Sequence, residues 1–148
     1  MKRSGAIGVL VFMLLAFVPC YAHHLAVVVA KDNQVDSVTS TNLAKLFKAE
    51  TRKWPDGKNV VLVLHRDSAT QMETLERLEK VSAGDLKAFL ASHPDSVHLA
   101  DTDVDLLKFV ETVPGAIGLV DVRSINDKVK VLKVDGKLPL EDGYLPHH

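Results

Sequence analysis

Cysteine is nearly absent from this 148-residue chain: the single one, Cys20, lies in an N-terminal apolar stretch. If that stretch is removed on export, no thiol remains to form a disulfide, a nucleophile or a thiolate metal site. Long hydrophobic runs are missing too. The longest, Ala6 to Val18 and broken only by Gly8, covers 13 residues, short of the roughly 20 needed to span a bilayer. There is no excess of positive charge, with 18 Lys and Arg against 19 Asp and Glu. That argues against nonspecific binding to nucleic acid or anionic membrane surfaces, which would want a basic face. Internal repeats, low-complexity stretches and linkers are absent. Nothing in the chain has the pattern of a Ser-His-Asp triad, a metalloprotease helix or a Gly-rich nucleotide loop, so nothing supports an enzyme.

What is present begins with the N-terminus. Lys2 and Arg3 precede the apolar run, and Pro19, Cys20, Tyr21 and Ala22 follow it. Small residues stand at −3 and −1 of a cut after Ala22, the layout of a cleaved signal peptide. Residues 1–22 are therefore expected to be a signal and residues 23–148 a single domain in the periplasm. Phe17, Val18 and Pro19 suit a lipidated Cys20 poorly. Loss of Lys2 and Arg3 with the signal leaves sixteen basic against nineteen acidic residues, a net charge of −3.

The rest of the chain alternates in kind. Leu25 to Ala30 and Val60 to Leu64 are continuous apolar runs, which suit strands buried on both faces. Leu43, Leu46 and Phe47 fall at helical spacing after the capping cluster Thr39-Ser40-Thr41. Thr51 to Gly57 reads as a turn with Trp54 packed beneath it. Met72, Leu75 and Leu78 mark one helix face, and Leu86, Phe89 and Leu90 another, begun by Ser82 and Asp85 as a capping pair. Asp101 is expected to cap a further helix with Val104, Leu107 and Val110 inward, stopped by Pro114-Gly115. Ala116 to Val122 reads as a third buried strand. The half-polar Val129 to Val134 reads as an edge strand, and the tail from Lys137 as irregular. The order β-α-β-α-α-α-β-β implies an α/β fold, a mixed sheet flanked by helices on both faces.

Ligands of such sheets sit at the carboxyl ends of strands, by helix N-termini. The loop after the second strand reads His65-Arg66-Asp67-Ser68-Ala69-Thr70-Gln71. Free N–H groups at a helix start favour an anion. Ser68 and Thr70 add hydroxyls, and Arg66 offers a forked, charge-assisted pair to an oxyanion. The same residues also read as a cap with no ligand, since Ser68 and Gln71 form a capping-box pair and Asp67 can cap alone. Asp67 would repel a dianion but accept a hydrogen bond from a protonated phosphate.

Several segments together resemble the PstS-like family of periplasmic phosphate-binding proteins. Leu25-Ala-Val-Val-Val-Ala30, then Asn33, Leu43-Ala-Lys-Leu-Phe47 and Trp54-Pro-Asp-Gly57, are similar to the family's opening strand and the segment that follows it. Arg66-Asp-Ser-Ala-Thr70 resembles its Arg…Ser-Gly-Thr phosphate loop, with Ala69 standing where the family prefers glycine. Val113-Pro-Gly-Ala-Ile-Gly118 and Val129-Lys-Val-Leu-Lys-Val-Asp-Gly136 resemble its later stretches. The resemblance implies a single periplasmic-binding-protein-like lobe that takes inorganic phosphate or a similar oxyanion on Arg66, Ser68, the Ala69 amide and Thr70. It implies service to an ABC permease or a membrane sensor, with no cofactor and no resident metal. Full-size members close two lobes over the ligand. A lone lobe leaves the anion half solvated unless a partner or a second copy, as in a homodimer, closes the site.

Two rival readings stand beside this one. The chain could be an interaction domain that keeps the fold without the ligand. It could also bind copper through a new N-terminal His23 together with His24, His65, His98 or the His147-His148 pair, although no helix-spaced histidine pair or companion carboxylate supports that.

Overall fold

The computed structural model describes residues 24–146. The expected signal at 1–22, His23 and the His147-His148 pair lie outside them. The elements run β1 (Leu25–Ala30), β2 (Ser37–Val38), α1 (Ser40–Phe47), β3 (Val61–His65), α2 (Ala69–Glu79), α3 (Ala83–Ser92), β4 (Val97–Ala100), α4 (Asp103–Thr112), β5 (Ala116–Asp121), a 3-10 turn (Val122–Ser124), β6 (Val129–Val131) and β7 (Lys133–Val134). Five strands form one mixed sheet in the order β4-β3-β5-β1-β6. β3 runs parallel to β4 and β5, whereas β1 is antiparallel to β5 and β6. β2 and β7 make a small parallel pair beside it.

Every residue of β1 is buried because helices cover both faces of the sheet. Side chains alternate along a strand, and the alternation sorts them into two cores. Val27, Val29, Leu62, Leu64, Ile117 and Leu119 face α1, α2 and α3 through Leu43, Phe47, Leu75 and Leu86. Val28, Val63 and Val120 face α4 through Leu106, Leu107 and Val110. Gly118 lies on that second face. A Cβ there would come within 2.9 Å of Leu106 Cδ2 and 3.0 Å of Val63 O, so glycine lets α4 pack close. Gly115, at φ +83°, immediately precedes β5; a Cβ there would meet Asn59 O at 2.0 Å. Its carbonyl accepts from both Trp54 Nε1 (2.9 Å) and Val61 N (3.0 Å). Trp54 is thus a buried packing residue that ties its turn to the sheet.

The four helices and the continuous apolar strands agree with the expectation from sequence. Several details do not. Asp101 caps nothing: Thr102 is the N-cap of α4, its Oγ1 accepting from Asp105 N at 3.1 Å. Val104 points outward at 73% exposure, and Leu106 takes its place in the core. With 3.6 residues per turn, a stripe centred on Leu106, Leu107 and Val110 leaves Val104 more than a quarter turn away. β4 was not expected. It is a short sheet-edge strand whose His98 and Leu99 are exposed, so it lacks the apolar run that marks the central strands. The stretch Val129 to Val134 is not one strand. Only Val129–Val131 lies at the sheet edge; the chain then leaves at Leu132 to pair with β2.

The tail is irregular but anchored. Tyr144 is buried, and its hydroxyl donates to Leu132 O at 2.5 Å while accepting from Val27 N at 3.1 Å. The phenol replaces a ladder hydrogen bond where β6 parts from β1. Burial pushes its pKa up to about 12, with the Val27 N–H pulling the other way.

Candidate functional site

The carboxyl ends of β3, β4 and β5 lie along one edge of the sheet. The loop His65–Ser68 leaves that edge and starts α2. Arg66 N continues the β3–β4 ladder by donating to Ala100 O at 2.8 Å. The Ser68 N–H closes a turn on His65 O at 3.4 Å, and His65 Nδ1 accepts from Asp67 N at 3.3 Å. Ser68 is the N-cap of α2: its Oγ accepts from Gln71 N at 3.2 Å.

The structure brings Arg66, Ser68, Ala69 and Thr70 together at this helix start. Arg66 is exposed, and its Nε lies 3.5 Å from Asp101 Oδ1, an open ion pair. Asp101, expected as a cap, is instead the counter-ion of Arg66. Ala69 occupies the first helical position and is not among the residues with positive φ. Glycine's conformational freedom is therefore not required there. Thr70 is half-buried in the first turn. Ser68 Oγ uses an oxygen lone pair for capping, which leaves its hydrogen to donate. Capping and ligand binding are thus compatible in one hydroxyl.

Helix starts elsewhere are served by carboxylates. Asp135 Oδ1 accepts from Ser40 N at the start of α1. α3 carries Asp85 in its first turn, and α4 carries Asp103 and Asp105. Asp103 further holds the edge together, accepting from Asp121 N at 3.3 Å and Ser124 Oγ at 3.0 Å. Arg123, the other arginine near this edge, is held in a two-point pair by Asp121, Nε at 3.1 Å and Nη2 at 2.9 Å; these bonds raise its pKa. α2 has no acidic residue in its first turn. It alone of these four helices presents its N-terminus without such a carboxylate, beside an arginine held only by a loose pair.

Sequence reasoning missed what Gln71 does. The capping-box reading sends its side chain back to the Ser68 amide. Instead the side chain, fully buried, inserts between strands. Its Oε1 accepts from His65 N at 2.9 Å and its Nε2 donates to Leu119 O at 2.6 Å. The β3–β5 register ends at Val63 opposite Gly118, and the amide bridges the gap beyond. The loop that carries Arg66 and Ser68 is therefore pinned to the sheet by a side chain from the helix it starts. No single position in the sequence signals this. Of the histidines named as copper candidates, His98 stacks on Phe109 at 4.0 Å, and no group of three or more His, Cys, Asp or Glu among the described residues is arranged to hold a metal ion.

No family profile matches the chain, and no curated protein matches its sequence. Solved structures match its fold. A Clostridium perfringens structure with bound phosphate, assigned as a phosphate ABC transporter substrate-binding protein, aligns with a TM-score of 0.67 and 19% identity over 80% of this chain and 48% of that one. An ABC-type phosphate transport receptor from Vibrio cholerae aligns at 0.65 and 17%, over 80% and 49%. PstS from Borrelia burgdorferi aligns at 0.60 and 16%, over 78% and 49%. The chain spans about half the length of these structures. At such identity the likeness is one of fold: a mixed sheet flanked by helices, the architecture of a single lobe of a periplasmic binding protein.

Proposed function

We propose that this protein is an exported, non-catalytic solute-binding protein that takes phosphate or a related oxyanion at Arg66, Ser68, Ala69 and Thr70. The observation that carries the reading is the start of α2, a helix N-terminus with no first-turn acid, placed at the carboxyl edge of the sheet beside Arg66. The N–H groups of Ala69 and Thr70 and the helix dipole attract an anion. Arg66 swings from Asp101 to pair with it, and the hydroxyls of Ser68 and Thr70 donate. Asp67 and Asp101 tune the choice. Their charge opposes a fully ionised guest, whereas a protonated phosphate can donate a hydrogen bond to one of them. Sulfate, which has no proton near neutral pH, cannot.

The signal at 1–22 belongs to this reading, as does delivery to an ABC permease or a membrane sensor in the periplasm. Arg66, Asp67 and Ala69 are exposed, so that partner or a second copy of the chain would cover the anion. The alternative of an interaction domain without a ligand draws on the same open ion pair, which satisfies Arg66 with no guest.

Calorimetric titration of the purified protein with phosphate, with sulfate as control, separates the two. Saturable phosphate binding that weakens in Arg66→Ala supports the binding protein. Loss of one charge-assisted bond, about 1.5–3 kcal/mol, corresponds to a roughly ten- to hundredfold rise in Kd. Absence of binding at millimolar phosphate would leave the fold without this function and favour the interaction domain.

A further inference from the structure

The buried stripe of α2 carries a polar side chain at each end. Gln71, at the start, is bonded through both Oε1 and Nε2. Glu79, at the end, does not: it is 4% exposed, and its Oε2 is buried without a hydrogen-bond partner. Leaving a buried carboxylate unpaired is costly, and burial pushes its pKa up to about 7, with Lys48 pulling the other way. Glu79 lines a recess of about 370 Å3 that runs along α1, from Ser40 and Thr41 to Lys48, and meets the end of α2; its volume is within the size range of small-molecule sites, about 300–1,000 Å3. Lys45 and Lys48 face it from α1, Glu50 from the loop that follows, and Arg77 and Lys80 from the end of α2.

The charges do not balance within the recess. None of the three lysines makes an ion pair among the described residues. Basic residues are ordinary at helix C-termini, where each helix end amounts to about half a negative charge. Because α1 lines the recess with both of its ends, its dipole cancels there, and the end of α2 together with Glu50 offsets about one and a half of the three lysine charges. A proton on Glu79 then leaves a positive excess and also supplies an O–H donor. Without that proton the excess falls by one charge and the donor is lost.

We propose that this recess is a second anion site, distinct from the start of α2, for a small dianion or polyanion such as an organic diacid, and that filling it is coupled to uptake of a proton by Glu79. The lysines neutralise the guest and the protonated carboxyl donates a hydrogen bond to it. The inference does not depend on the proposed oxyanion site at Arg66.

The probe is ethane-1,2-disulfonate, whose charge is constant between pH 6 and pH 8, titrated into the purified protein at low ionic strength. Saturable binding is expected, with Kd roughly tenfold higher at pH 8 than at pH 6, as the fraction of protonated Glu79 dictates. Glu79→Gln keeps a neutral donor and should bind at pH 8 about as well as the wild type at pH 6, with no pH dependence. Lys48→Ala, at a half-buried position, should weaken binding, and Arg66→Ala should leave it unchanged. Absence of saturable binding would overturn the proposal, as would unaltered affinity in Lys48→Ala or a wild-type pH profile in Glu79→Gln. Loss of binding in Arg66→Ala would place the probe at the start of α2 and overturn it equally.

Discussion

Replacing Gln71 tests the joint between the candidate site and the sheet. The side chain is fully buried and substitutes for a peptide group between β3 and β5. Gln71→Leu has nearly the same volume but leaves the His65 N–H and the Leu119 carbonyl without partners. Each such group costs about 1–3 kcal/mol, so the loss is about 2–6 kcal/mol, a large part of a domain stability of about 5–15 kcal/mol. Gln71→Glu sharpens the test. When protonated, the new carboxyl restores both bonds, its O–H donating to Leu119 O and its carbonyl accepting from His65 N. When ionised, it loses the donor and buries a charge. Its folded pKa therefore lies above the unfolded value of about 4.3. Relative to wild type, the variant is most stable below that value and loses stability as pH rises through the folded pKa. Urea denaturation of both proteins at a series of pH values reads this difference, and subtracting the wild type removes the contribution of other carboxyls. A Gln71→Leu protein within 0.5 kcal/mol of wild type, or a flat pH difference for Gln71→Glu, would refute the bridging role.

Glu79 sets a second pH dependence. Its carboxyl is raised from 4.5 to about 7, so the unfolded chain releases this proton at lower pH than the folded one, and the wild type loses stability as pH rises from 4.5 through 7. At about 1.4 kcal/mol per unit, Glu79→Gln should be more stable than wild type by on the order of 3 kcal/mol at pH 8 and nearly equal at pH 4. Thermal melts at the two pH values check it, and equal differences at both would count against the burial argument. Tyr144→Phe removes the hydroxyl that joins Val27 N and Leu132 O. It should cost about 2–6 kcal/mol in urea denaturation, from two buried backbone groups left unpaired; a cost near zero would mean the tail does not hold β6.

The two sites owe their arrangement to one helix. α2 runs from the strand edge, where its N-terminus is open, to the recess shared with α1, where Oε2 of Glu79 is unpaired. Its inward stripe is Gln71, Thr74, Leu75, Leu78 and Glu79. Periodicity identified Leu75 and Leu78. Gln71 reads from sequence as the capping-box partner of Ser68, and Thr74 and Glu79 give no signal, because apolar periodicity marks only the apolar members of a stripe.

Much of the chain was legible from residues near one another in sequence. The caps Ser68 and Ser82 act on N–H groups three residues on. The runs Leu25–Ala30 and Ala116–Asp121 announce strands buried on both sides by their unbroken apolarity. These determine an α/β fold with a hydroxyl-rich helix start after the strand that ends at His65. Tertiary structure alone decided the strand order, the presence of β4 at the edge, the pairing of Arg66 with Asp101, and the insertion of Gln71 and Tyr144 into the sheet. Gln71 meets Leu119 across 48 positions and Tyr144 meets Val27 across 117. Caps and periodicity are written within one turn of chain, whereas the partner of a buried polar side chain exists only after distant strands have come together. For the same reason the sequence shows Glu79 as one more acid on a charged helix, and only packing of α1 against α2 removes it from water and leaves it unpaired.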